Sequence, residues 1–239
     1  MSIVLNDLYD YEGMKIYQNE ENFKFSLDSI LLAEFVDIKK DINLVVDFCS
    51  GNAPVPLILS TRCNAMFKAF EIQPSIYELG NKSIEINNLG NKIELINDNF
   101  KNVGKYLDAE SVDVVTCNPP YFKYDNNSII NEDDKLAVAR HEITMKLEDV
   151  MINAKYVLKN KGVLYLVHRC DRLEEIVDLL NKYNFSMKKI QFIYSDLKKE
   201  AIMVLIKATK NGNTGSLKVM PPIDITKYKS YQGMFEMSD

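Results

Sequence analysis

From residue 42 onward the chain alternates between short apolar runs and stretches of helical spacing, and that alternation leaves few folds open to it. The runs 42–48, 66–72, 93–97 and 112–117 are dense in Val, Ile, Leu and Phe, as strands buried on both faces require. Helical stretches are entered at Pro54 and at Pro74, the second running 74–88; proline suits a first helical turn, where its missing N–H has no intrahelical partner to lose. Further on, 147–158 has helical spacing, Asn160-Lys161-Gly162 reads as its stop, 163–167 reads as a fifth strand and 171–183 as an amphipathic helix. Two last β-like runs, 187–194 and 201–208, flank the charged segment 195–200 and read as an antiparallel pair. Strands separated by helices must lie parallel. The expectation is an α/β fold: a doubly wound, mostly parallel open sheet with an antiparallel C-terminal strand pair.

The flanks read differently. Within 1–40, residues 14–18 and 23–25 predict a short hairpin, and Ser26 or Asp28 can cap a helix through 30–35. Residues 209–239 open on Asn211-Gly212-Asn213-Thr214-Gly215 and predict an irregular tail, which leaves 41–208 as the sheet domain. The polar segment 123–135 is a long connection of the kind that serves as a lid or stays disordered.

Composition narrows the function classes. A chain of 239 residues with 46% hydrophobic and 26% charged residues is ordinary globular material. No apolar run is long enough to span a bilayer, and Met1-Ser2-Ile3-Val4-Leu5 lacks the basic and apolar regions of a signal peptide, so a cytoplasmic location without membrane contact is expected. Cys49, Cys63, Cys117 and Cys170 are scattered and the histidines are only two, so neither a metal site nor a disulfide framework is expected. The net charge of −5 conceals an asymmetry. Residues 1–150 carry 14 Lys and Arg against 25 Asp and Glu, whereas 151–239 carry 15 against 9, so the later part can face phosphates or simply present solvated lysines.

In a doubly wound sheet, ligands bind beyond the carboxyl ends of the strands, and this chain places Asp47 with Gly51, Glu71, Asp98 and Asn118 at such ends. Glu71 closes the second strand, where nucleotide-binding folds put a carboxylate on the ribose hydroxyls. Gly51 permits close backbone approach, and Asp98 can accept from an adenine amino group. The first loop has neither a full G-x-G-x-x-G nor a Gly-Lys-Ser or Gly-Lys-Thr, so a nucleoside without phosphates fits better than a nucleotide.

The fourth strand stops at Asn118-Pro119-Pro120-Tyr121. Neither proline can donate to a ladder and each fixes its own φ, so the turn is rigid. It offers an amide, a carbonyl and an aromatic ring, a set that grips a planar amine by edge hydrogen bonds and face stacking. A plain loop with a surface tyrosine is the alternative.

Together these residues resemble the S-adenosylmethionine-dependent methyltransferases of Rossmann-like fold that carry Asn-Pro-Pro-Tyr. Residues 25–33, the loop 47–56, Glu71-Ile72-Gln73, Asp98-Asn99-Phe100, the Asn118 turn and Ala139-Arg140-His141-Glu142 look like the bacterial tRNA1(Val) (adenine(37)-N6)-methyltransferases, over most of the chain to about residue 208. The resemblance implies S-adenosyl-L-methionine held by Phe25, Asp28, Asp47, Cys49, Gly51, Glu71, Ile72, Asp98, Asn99 and Asn118. It implies that the Asn118 side chain and the Pro119 carbonyl accept the two N–H groups of an adenine amine, while Tyr121 stacks on the base. Pro120, Phe122, Arg140, His141, Lys188, Lys189, Lys198 and Lys199 are the implied contacts to a tRNA partner; Arg140 and His141 equally suit a surface ion pair with Glu142. The family's first loop usually reads Gly-x-Gly-x-Gly, and here Cys49 and Ala53 replace the outer glycines. The same turn serves ribosomal RNA, DNA adenine or a protein glutamine as acceptor, and the altered loop also fits a catalytically silent nucleoside-binding module. A monomer is expected.

Overall fold

The computed structural model describes residues 3–8, 11, 13–19, 27–38, 41–120 and 145–227. Among them the strands β3 (Leu44–Phe48), β4 (Met66–Phe70), β5 (Ile93–Ile96), β6 (Val112–Cys117), β7 (Leu158–Arg169), β8 (Phe185–Tyr194) and β9 (Ala201–Lys210) form one sheet in the order β8-β9-β7-β6-β3-β4-β5. Every pair from β7 to β5 is parallel, and β7–β9 and β8–β9 are antiparallel. The expected doubly wound sheet with its antiparallel C-terminal pair is therefore present. The first strand of the sheet, β3, lies in its middle: β4 and β5 follow on one side, β6 and β7 on the other. That reversal makes the cleft above β3 and β6 the topological switch point, where such sheets take ligands.

Each face of the sheet is covered, which is why its central strands are apolar without alternation. Against one face lie α1 (Leu27–Phe35) and α2 (Pro54–Ser60), in a core with Val45, Val114, Tyr165, Val167 and Leu205. Against the other, the 3-10 turn Phe100–Lys105 and the helices Leu147–Val157 and Leu173–Lys182 pack on Val46, Phe48, Val115, Leu164 and Ile206. Phe48 and Phe100 stack with ring centroids 4.7 Å apart.

Helix α1 is buried almost all round, with only Glu34 exposed. Its far end is pinned from the turn after α2 and from β7, β8 and β9. Arg62 donates to the carbonyls of Ala33 and Val36 at 2.5 and 2.8 Å, satisfying groups a helix terminus leaves orphaned. Tyr165 accepts from the Asp37 N–H at 3.2 Å, and the Asp37 carboxylate binds Lys189 at 2.9 Å and Lys207 at 2.7 Å. Burial pushes the Asp37 carboxyl up, but the hydrogen bonds from Lys207 and Lys189 outweigh it and hold the group below its ordinary value.

Two local expectations are corrected, and two others fall partly outside the described residues. Lys15–Asn19 (β2) pairs antiparallel with Ile3–Asp7 (β1) and docks on α3 (Pro74–Ile86) through Ser83 and Asn87; residues 23–25, the expected partner, lie outside the described residues. Asp28 is inside the first turn of α1, and Ser26, the other expected cap, lies outside the described residues. The segment 160–162 is no helix stop. The helix ends at Val157 and β7 begins at once, with a bulge opposite Val112 and Val114 that Lys161 accommodates at φ 65°. Finally, the stretch expected to be irregular adds two short strands, Lys218–Val219 and Ile223–Asp224, both parallel to β8. Such pairing covers an edge that would otherwise present unpaired backbone groups.

Candidate functional site

The loop after β3 turns on alternate left-handed residues: Cys49 at φ 59°, Gly51 at 59° and Ala53 at 71°. These are the three positions at which the resembling family carries glycine, so the backbone keeps the glycine conformation although two of its residues bear a Cβ. Each such residue costs about 1–3 kcal/mol and persists because its surroundings over-determine it. The Ser50 N–H is bound to the Phe70 carbonyl at 2.8 Å, the Gly51 N–H to Glu71 Oε2 at 2.9 Å, and the Ala53 carbonyl accepts from Leu57 as α2 begins. With Pro54 in the first turn, the loop delivers the chain straight into α2.

Glu71 lies just beyond β4, buried, with Oε2 on Gly51 and Oε1 accepting from the Gln73 N–H at 2.8 Å. Burial raises its pKa, and the backbone donors of Gln73 and Gly51 partly offset that. The Gln73 side chain and the Ile72 N–H also donate to this carboxylate. Asp98 follows β5 and accepts from the Asn99 N–H at 2.7 Å, Asn102 Nδ2 at 2.8 Å and the Tyr106 hydroxyl at 2.9 Å. The Asn102 hydrogen bond, with those of Tyr106 and Asn99, holds its pKa below the usual carboxylate value. Asn99 caps the 3-10 turn by accepting from the Lys101 N–H, and Ile72 is exposed beside Glu71.

Asp47 is the buried carboxyl group of the cleft. Burial pushes its pKa up to about 7, against the pull of the Thr116 hydroxyl, which donates to Oδ1 at 2.5 Å, and with the nearby Glu71 charge adding to the rise. The two residues are direct partners in the β3–β6 ladder. Two residues past Thr116, Asn118 is half-buried, Pro119 buried and Pro120 exposed. Asn118 Nδ2 donates to Ser29 Oγ of α1 at 2.9 Å. Cys49 Sγ lies 3.5 Å from Met145 Sδ, and burial pushes the Cys117 thiol up.

The fold thus gathers Asp47, Cys49, Gly51, Glu71, Ile72, Asp98, Asn99, Asn118, Pro119 and Pro120 along the carboxyl edge of the sheet, with Asp28 buried in α1 next to Ser29. The donor set suits a nucleoside bearing a cationic tail: a paired-acceptor carboxylate for a diol, a second acid for an amine and a buried anion for positive charge. Phe25, Tyr121, Phe122, Arg140 and His141 lie outside the described residues. Lys189 is 15% exposed in its side chain, bound to Asp37 and set 4.2 Å over the Phe35 ring. Lys188 donates to the Asn213 and Gly215 carbonyls, bracing the turn after β9. Lys198 and Lys199 are exposed, on the loop after β8 at the same carboxyl edge as the cleft. Two residues that hold these side chains escape sequence reading, Ser29 on Asn118 and Thr116 on Asp47; Thr116 alone has a signal, a hydroxyl in an apolar strand two places before Asn118.

Among the described residues no group of His, Cys, Asp and Glu is placed to hold a metal ion, and no helix is long and apolar enough to cross a membrane.

No family model matches the chain. A tRNA1(Val) (adenine(37)-N6)-methyltransferase of Phocaeicola vulgatus is 21% identical over 201 residues, covering 84% of this chain and 83% of its own. One of the same name from Aliivibrio salmonicida is 24% identical over 182 residues, covering 76% and 75%. Among solved structures, a predicted O-methyltransferase of Agrobacterium tumefaciens superposes with a TM-score of 0.64 at 20% identity, covering 83% of this chain and 87% of its own. The M. jannaschii tRNA m1G37 methyltransferase gives 0.61 at 15% identity, covering 88% and 57%. The chain has the Rossmann-like methyltransferase fold, and by sequence it resembles the tRNA1(Val) (adenine(37)-N6)-methyltransferases over most of its length.

Proposed function

We propose that this chain is an S-adenosylmethionine-dependent methyltransferase that methylates N6 of an adenine in tRNA, the adenosine beside the anticodon of a valine tRNA. The observation that carries the reading is the position of Asn118: at the end of β6, across the switch point from the Gly51 loop and Asp47, with its amide held by α1. Names of the matched relatives support both the chemistry and the tRNA.

When bound, S-adenosylmethionine supplies an electrophilic methyl group on a sulfonium. Glu71 accepts from the ribose diol, Asp98 from the adenine amine of the cofactor, and Asp47 faces its positive end. The acceptor amine is a poor nucleophile because its lone pair is delocalised into the ring. Asn118 and the Pro119 carbonyl accept its two N–H groups, which draws the lone pair out of conjugation and aims it at the methyl carbon. Tyr121 stacks on a base swung out of its loop, and Phe122, Arg140 and His141 complete the RNA contact. Lys198 and Lys199 extend a basic surface along the same edge. Mass spectrometry of nucleosides from purified valine tRNA, in cells with and without this protein, tests the reading. Loss of N6-methyladenosine from that tRNA is the expected result, and an unchanged profile refutes it.

A further inference from the structure

Resting on that reading, we propose that Ser29 is a positioning residue for the transfer: from α1 it holds the plane of the Asn118 carboxamide, with the nitrogen edge on the helix and the oxygen edge left to meet the acceptor amine. An Asn side chain is nearly symmetric in shape, with an oxygen that accepts and an NH₂ that donates on opposite edges of one plane. Only the oxygen edge is useful toward an amine that must be stripped of electron withdrawal at its N–H groups. With the plane reversed, two donors confront two donors. The β6 turn alone does not hold that plane, since the prolines fix the backbone and not the side chain.

A contact with α1 holds it. Ser29 Oγ accepts from Asn118 Nδ2 at 2.9 Å, in a partly buried contact between residues 89 positions apart. Holding the nitrogen edge against α1 turns the oxygen edge away from it. Ser29 is itself fixed, 7% exposed in a helix whose neighbouring Leu27, Ile30, Leu31 and Leu32 are fully buried. The opposite end of that helix is clamped by Arg62, Tyr165 and the Lys189–Asp37–Lys207 group described above. A catalytic amide oriented by a hydroxyl on a rigid helix is the arrangement that keeps a reacting geometry within a fraction of an ångström. It also gives the Asp37 clamp a part in function, as the anchor of the helix that presents Ser29.

The test compares wild type, Ser29→Ala, Ser29→Thr, Asn118→Ala and Ser29→Ala/Asn118→Ala. Single-turnover rates are measured on tRNA from cells lacking the protein, S-adenosylmethionine affinity by calorimetry, and the Asn118 side-chain amide by ¹⁵N NMR. Ser29→Ala is expected to lower the rate about tenfold with cofactor affinity and Tm unchanged, to shift the Asn118 Nδ2 proton resonances, and to have no further effect once Asn118 is Ala. Ser29→Thr, which keeps the hydroxyl, is expected to retain both rate and resonances. An unchanged rate in Ser29→Ala, or the same tenfold loss in the Asn118→Ala background, overturns the proposal. The amide resonances are read without any transfer. A wild-type protein that methylates no RNA, while Ser29→Ala still shifts the Asn118 resonances, thus defeats the methyltransferase reading, and with it the positioning role of Ser29, while leaving the contact itself established.

Discussion

Asp47 and Thr116 face each other across the β3–β6 ladder, and the threonine hydroxyl holds the buried carboxyl at 2.5 Å. A carboxylate in that place is expensive without its ligand, and the consequence is a protein whose stability depends on pH. Burial raises the folded-state pKa from 3.8 to about 7. Because the folded value exceeds the unfolded one, the protonated group's contribution is complete below pH 3.8 and is lost as pH rises through 7. The full loss is about 4 kcal/mol at 1.36 kcal/mol per pKa unit. Denaturant unfolding of the ligand-free protein and of Asp47→Asn from pH 5 to 8 checks this: the difference between the two is expected to grow with pH, Asn being the more stable at pH 8. A constant difference would mean that Asp47 titrates normally.

The same group makes cofactor binding pH-dependent. A cationic ligand favours ionised Asp47, so S-adenosylmethionine affinity is expected to rise between pH 6 and 8 in the wild type and to be flat in Asp47→Asn. Titration calorimetry in buffers of different ionisation enthalpy reads both the affinity and the proton released.

Ala53 and Ala154 are both fully buried, but Ala53 sits at φ 71° while Ala154 lies within the helix Leu147–Val157. Replacing each by glycine separates conformation from packing. Ala154→Gly loses helix propensity and a buried methyl, about 1–2 kcal/mol. Ala53→Gly loses the methyl but relieves a left-handed strain of about 1–2 kcal/mol, and is expected to be nearly neutral. Equal destabilisation of the two variants by thermal or denaturant unfolding would show that the loop is unstrained.

Glu71→Ala removes the acceptor that holds the Gly51 N–H together with the proposed ribose ligand. Cofactor binding is expected to weaken by about 1.5–3 kcal/mol, the range for hydrogen bonds to a charged group. Unaltered affinity in calorimetry excludes the assignment.

Asn118→Ala is expected to lower methyl transfer by about 10²–10³-fold, the usual effect of removing one preorganised polar group from a reacting centre, while cofactor affinity stays nearly constant. A variant that keeps most of its single-turnover rate removes Asn118 from the mechanism.

Periodicity carried the sheet. The apolar runs at 44–48, 66–70, 93–96 and 112–117 became the parallel strands, and the runs near 187–194 and 201–208 the antiparallel pair, because strand and helix periods are local properties of a chain. Glu71, Asp98 and Asn118 were legible as strand-end residues for the same reason, and Cys49 and Ala53 as replacements of glycine. What was not legible depends on contacts far apart in sequence. Lys189 read as a free cation for RNA, but folding brings Asp37, 152 residues away, to neutralise it. Nor is the pairing of Lys15–Asn19 with Ile3–Asp7 legible in the sequence. The polar stretch after Lys210 had no β pattern of its own, and two short segments of it became strands because the β8 edge offered unpaired backbone groups. The strand ends and their chemistry are therefore written in the sequence. The orientation of the Asn118 amide and the titration of Asp47 are not, since a hydrogen bond across 89 residues and the exclusion of water from a carboxyl exist only once the chain has closed around them.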